Sequence, residues 1–124
     1  MKRITIAFTV ATLLLATATT DATARIRVKC EKRANRSSIS VDGRNLEVGN
    51  YSANVLSGDN EQSAPLKPSV GDEAEFDFDS ARRDIAAGDT PIPAGFVQGG
   101  RVTAQILDEE GFVVAEGSAT CRVR

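Results

Sequence analysis

Histidine and tryptophan are absent from this 124-residue chain, tyrosine occurs once, and the single methionine is the first residue. Without histidine there is no imidazole for general acid–base catalysis, for a serine–histidine triad, or for a histidine-ligated zinc or copper site. Aromatic residues make up only 5% of the chain, and none falls in its basic stretch Arg25–Arg36. That excludes the stacking platform of a single-strand nucleic-acid binder. Neither sign of charge dominates, with 15 basic and 17 acidic residues. The strongly basic footprint of a nucleic-acid protein is therefore missing, and no nucleic-acid partner is expected. The longest uncharged apolar run, Ile4 to Ala16, falls short of the ~20 residues a membrane-spanning helix requires, so no transmembrane segment is expected.

That run follows the basic pair Lys2 and Arg3, and Ala22-Thr23-Ala24 then places small residues where a signal peptidase reads. The pattern predicts a signal peptide over residues 1–24 and one domain over residues 25–124, in the periplasm or outside the cell. A second small-residue pair, Ala16 and Ala18, would start the mature chain at Thr19. Cysteine usage agrees with export. Cys30 and Cys121 are the only two, they lack the Cys-x-x-Cys spacing of a redox pair, and they predict one structural disulfide.

Beyond the signal the period is two. Ile26, Val28 and Cys30 alternate with Arg25, Arg27, Lys29 and Glu31. Ile39 and Val41 alternate with serines, and Asp42-Gly43 then reads as a tight turn. Tyr51, Ala53 and Val55 form a third run, Gln62 to Leu66 a weak edge strand, and Ala74, Phe76 and Phe78 a fifth. Val102, Ala104 and Ile106 follow. Val113, Ala115, Ala119, Cys121 and Val123 share a parity in one long last strand, with Gly117 as an expected bulge. The fold class predicted is all-β, a small antiparallel sandwich of about seven strands. Ser80 to Gly95 is left as a long connection, either functional or mobile, with at most one or two helical turns and with Ile85 and Ile92 as its anchors.

One internal echo is present. Gly49 to Leu56 matches Gly100 to Leu107 position by position, 51 residues apart, as Gly, polar, apolar, hydroxyl, Ala, amide, branched apolar, Leu. Two strands solving the same packing problem would give this without duplication. The Gly-x-Tyr-x-Ala-x-Val strand and the hairpin Gly100 to Gly111 resemble strands of prealbumin-like and other immunoglobulin-like modules of exported bacterial proteins. The resemblance implies an immunoglobulin-like sandwich in a stalk, accessory or binding role. It carries over no catalytic or ligand residue.

Charge is distributed unevenly. Arg25 to Arg44 holds seven basic and two acidic residues, and Asn45 to Asp89 holds three basic and ten acidic. Glu73, Glu75, Asp77 and Asp79 share one strand face, and Asp84 and Asp89 follow in the long connection. Such oxygens suit calcium, with Asp77, Asp79 and Asp84 as candidate ligands, but the spacing is not that of an EF-hand. A paired, solvated row is the favoured reading, placed beside Arg25, Arg27 and Lys29. The basic start is a candidate surface for a protein or an anionic polymer. A carboxylate pair can hydrolyse glycosides without histidine. A domain of this size, however, needs its interior for packing rather than for a substrate cleft. The sequence thus predicts an exported, non-catalytic binding or structural module without a cofactor. The alternatives are a surface-assembly or adhesin-type subunit and a weak calcium-binding module.

Overall fold

In a computed structural model that describes residues 23–124, the alternating runs fold into nine strands and one short helix. The segment read as an export signal lies outside the described residues, save for Thr23 and Ala24. The strands are β1 (Arg25–Arg33), β2 (Arg36–Arg44), β3 (Asn50–Ser57), β4 (Asn60–Pro68), β5 (Ala74–Asp79), β6 (Thr90–Pro91), β7 (Arg101–Asp108), β8 (Val113–Thr120) and β9 (Arg122–Val123). Helix α1 (Arg82–Ala86) lies between β5 and β6. Two sheets result, ordered β6-β5-β2-β1-β9 and β4-β3-β7-β8. All pairings are antiparallel except those of the two-residue outer strands, β6 along β5 and β9 along β1. The all-β sandwich expected from the sequence is present, but with nine strands rather than about seven. The extra two, β6 and β9, are too short to show a period.

Each long strand turns one parity inward. Ile39 and Val41 of β2, Phe76 and Phe78 of β5, Ala53 and Val55 of β3, and Val102, Ala104 and Ile106 of β7 are all at most 3% exposed. Burying each of the larger ones stabilises the fold by ~1.5–3 kcal/mol relative to exposure. The echo between Gly49–Leu56 and Gly100–Leu107 now has a packing cause. β3 and β7 are antiparallel neighbours that pair about Asn54 and Gln105, the amide position shared by both copies. Ala53 therefore lies opposite Ile106, and Val55 opposite Ala104. A small residue meets a branched one on either side of the centre, which keeps the layer even.

Two glycines read as punctuation prove to be packing sites. Gly43 is not in a turn but inside β2, between Ile26 and Ala74. A Cβ there would lie 2.5 Å from Ile106 Cδ1 and 3.1 Å from Leu46 Cδ1. The chain turns two residues later, where Asn45 takes a φ of 60°, a conformation that asparagine tolerates. Gly117 is likewise no bulge, because it pairs regularly with Ala104. A Cβ on it would lie 2.8 Å from Ile26 Cγ2, so it lets β8 approach β1 across the sandwich. The irregularity in β8 sits earlier, at the shift between Ile106 and Leu107. It inserts Val114, which turns toward the core while Val113 stays 47% exposed.

The disulfide closes the same side of the molecule. Cys121 lies where the chain leaves β8 and crosses to the other sheet as β9, and it is bonded to Cys30 of β1 with 4.5 Å between the two Cα atoms. Both cysteines are buried. The inward positions read from the sequence are those they occupy.

Candidate functional site

The acidic row of β5 does not stay together. Glu73, Glu75 and Asp77 are exposed, whereas Asp79 at the strand end is 2% exposed. Nor does the row lie beside Arg25, Arg27 and Lys29, because β2 runs between β1 and β5. Across the sheet Arg27, Asp42 and Glu75 are in register, as are Lys29, Ser40 and Asp77. Periodicity gives the face of each residue but not the order of strands, and so the sequence did not reveal the intervening β2.

Asp79 is held by Arg36, the first residue of β2. Arg36 donates from Nε to Asp79 Oδ1 at 2.9 Å and from Nη2 to Asp79 Oδ2 at 2.6 Å. The same Nη2 reaches Asp84 Oδ2 at 3.2 Å. The Ala81 backbone N–H also donates to Asp79 Oδ1, at 2.9 Å, where the chain enters α1. Residues 82–86 make little more than one helical turn. Its effect is to fold Asp84 back over the end of β5, while Asp89 is tied in by its own N–H to the Asp84 carbonyl at 3.0 Å. Carboxylate oxygens of Asp79, Asp84 and Asp89 lie within 4.8 Å of one another. The candidate metal set Asp77, Asp79 and Asp84 is thus brought together in part, with Asp89 standing where Asp77 was anticipated. A guanidinium already donates to two of the three carboxylates.

These charges have opposite effects on two carboxyls. Burial pushes Asp79 up, but the hydrogen bond from Arg36, that from Ala81 and the Arg36 charge outweigh it and hold Asp79 below the usual 3.8. Asp89 is raised above 3.8 by burial and then by Asp77, Asp79 and Asp84. A depressed carboxyl contributes stability that is complete above its unfolded value and lost as pH falls through the folded one. A raised carboxyl binds its proton more tightly in the folded state, so its protonation favours folding. Acidification from neutrality should therefore first raise the melting temperature slightly, as Asp89 takes up its proton. It should then lower it steeply below about pH 4, as the Asp79 pair is broken. A melting series on wild type and Asp79→Asn checks this: the variant should be less stable at neutral pH and should lose most of the acid-side decline. An equally steep decline in the variant would show that other carboxyls carry it.

Two buried serines, which the alternation did not single out, fix the rest of the long connection. Ser37 is fully buried and donates to the Ala94 carbonyl at 2.6 Å, while Ser57 donates to the Arg101 carbonyl at 2.6 Å and accepts from the Gln98 N–H at 2.7 Å. Asn60 Nδ2 donates to the Phe96 carbonyl at 2.8 Å. Ile92, Phe96 and Val97 are buried, and Ile85 is half-buried. The connection is bound to the sandwich along its length. Of the basic residues of β1, Arg25, Arg27 and Lys29 are exposed and Arg33 lies 3.5 Å from Glu31, which also meets Arg124, beyond β9, at 2.6 Å.

Compared with models of protein families, with curated proteins and with solved structures, the chain matches none.

Proposed function

We propose that this chain is an exported, non-catalytic sandwich module that serves a binding or structural role in the periplasm or outside the cell. The observation that carries the proposal is the buried Cys30–Cys121 disulfide, which joins residues 91 apart at the point where the chain changes sheets. Such a bond persists in oxidising compartments and is rare in reducing ones. The resemblance of β3 and β7 to strands of immunoglobulin-like modules supports the same reading. Among the described residues no helix is long and apolar enough to cross a membrane.

The structure also bears on where an export signal would end. Ala24 packs against the core, and the Thr23 carbonyl accepts from Asn45 Nδ2 at 2.9 Å. A mature chain starting at Thr19 would keep both contacts and one starting at Arg25 would lose them, which supports the second of the two expected starts. Mass spectrometry of protein recovered from its native compartment checks the proposal. The expected product lacks Met1 and yields a Cys30–Cys121 linked peptide. An intact Met1 with two free thiols in a cytoplasmic product would overturn it.

A further inference from the structure

We infer that copies of this chain associate edge to edge, with β1 of one copy laid beside β5 of the next. The inference rests on the reading of the chain as a non-catalytic module and gives it a partner, a second copy of itself. Both strands have open edges. β9 pairs with β1 only at Glu31 and Lys32, and β6 pairs with β5 only at Phe78 and Asp79. Among the described residues, no strand pairs with the outer side of β1 over residues 25–30 or of β5 over residues 74–77.

The two edges differ in cover: on β5 Ala74 and Phe76 are buried and only Glu75 and Asp77 are exposed, whereas β1 is looser. Ile26 and Val28 face inward on β1 yet are only half-buried, while Val41, opposite Val28 on β2, is fully buried. A groove of about 450 Å³ runs along Val28–Glu31, with Ala119 and Thr120 on its far wall. A second, of about 340 Å³, flanks Ala74 and Glu75. An unpaired edge is a template for another strand unless proline, a covering segment or charge blocks it, and charge such as that of Lys29 on β1 bars a like-charged edge but not an oppositely charged one. The outer strand β4 has such guards in Pro65, Lys67 and Pro68. The open stretch of β5, Ala74-Glu75-Phe76-Asp77, has no proline or lysine of its own, although Lys67 Nζ of β4 lies 5.1 Å from the centre of the Phe76 ring.

Charge selects the partner. The open stretch of β1 presents Arg25, Arg27 and Lys29, all exposed, and that of β5 presents Glu75 and Asp77, with Glu73 just ahead. Within one chain β2 keeps the two rows apart. Two-fold pairing of β1 with β1 would set cations against cations, and β5 with β5 would set carboxylates against carboxylates, both unfavourable on adjacent strands. β1 against β5 sets opposite charges side by side. Both strands run antiparallel to β2, so they are parallel to each other. Successive copies in one orientation would continue the sheet with their charged faces on the same side, provided that β6, held to β5 by two residue pairs, swings clear of the incoming β1. The interface is heterologous, so it builds rings or open chains rather than a closed dimer. Its short pairing length places it among weak, salt-sensitive contacts.

Sedimentation of the disulfide-bonded protein tests this. At about 1 mM protein and roughly 20 mM salt, where screening reaches only beyond ~20 Å, the average mass should rise with concentration. At about 500 mM salt it should return to the monomer value. Glu75→Lys/Asp77→Lys makes both edges basic, and Arg25→Glu/Lys29→Glu makes both acidic. Each variant alone should stay monomeric in low salt, and an equimolar mixture should associate again. Arg27 is left in place because it lies opposite Asp42. Wild type that remains monomeric in low salt would overturn the inference, as would association that is indifferent to salt or a mixture that fails to recover. The salt series needs no variant, so it decides the matter even where a variant misfolds. A monomer with its disulfide intact would sink edge pairing and leave the exported module standing.

Discussion

Changing Cys30 to Ser is expected to lower the melting temperature by well over ten degrees. The bond closes a loop of 91 residues, and the chain-entropy estimate for a loop of that size is ~4–5 kcal/mol against the unfolded state. At about 4–8 °C per kcal/mol for a domain near 100 residues, the loss is large against any surface change. The fold adds a local effect to the global one. β9 is held to β1 by two residue pairs, by the Arg124 N–H to the Lys32 carbonyl at 3.0 Å and by the Arg124–Glu31 ion pair. So short a strand lacks the hydrogen bonds to remain in place alone. Cys121 itself stays tied to the other sheet through its N–H to the Gly100 carbonyl at 2.7 Å. Without the bond, the amides of residues 122–124 should exchange freely while β7 and β8 remain protected below the melting point. Cys30→Ala checks that the loss comes from the missing bond and not from a hydroxyl placed in the core. A fall of only a few degrees in both variants would mean that the unfolded chain gains little freedom from the cut. Protection retained at residues 122–124 would mean that β9 stands on its own pairing.

How much of this was legible beforehand depends on the length scale of each feature. The inward positions of β1, β2, β3, β5 and β7 follow from alternation, because a strand side chain points one way or the other and burial selects the apolar parity. The disulfide follows from the cysteine count and from reading residues 1–24 as an export signal. The glycines misled for a physical reason: a missing Cβ serves a turn and a close approach equally well, and sequence does not separate them. Gly43 and Gly117 both make room for isoleucines, Ile106 and Ile26, whose positions are set by other strands. The same limit applies to Asp79. Its parity puts it with Glu75 and Asp77, and only the position of Arg36, 43 residues earlier, makes its burial tolerable. Ser37 and Ser57 carry no signal of their own, since a serine on an apolar parity is interpretable only once the carbonyls it meets are known.

Changing Arg36 to Met should produce the second large effect, and it bears directly on calcium. In the wild type the guanidinium donates to Asp79 and Asp84, so an incoming divalent ion would have to displace a cation already in place. Wild-type protein in millimolar calcium should therefore gain only a degree or two, with magnesium giving the same and moderate sodium chloride erasing it. Methionine keeps the apolar stem as far as the Nε position and removes the guanidinium, leaving carboxylates within 4.8 Å of one another to repel. Breaking a fully buried pair costs about 3–5 kcal/mol. The Arg36 side chain is 25% exposed, so about 2–3 kcal/mol is the fitting estimate, a fall of ten degrees or more. The variant then holds three converging carboxylates, up to six oxygens, which approaches the six to eight that calcium takes. Calcium at about 10 mM should restore several degrees by binding the folded state. Magnesium should restore far less, because it demands tighter octahedral geometry and sheds water reluctantly. Adding Asp89→Asn should remove the calcium response. A large calcium-selective rise in the wild type would mean that the cluster admits the ion despite the guanidinium and would put the residue 80–95 connection into a metal site. No loss of stability in Arg36→Met would mean that the three carboxylates part as soon as the guanidinium leaves, and that Arg36 is not what gathers them.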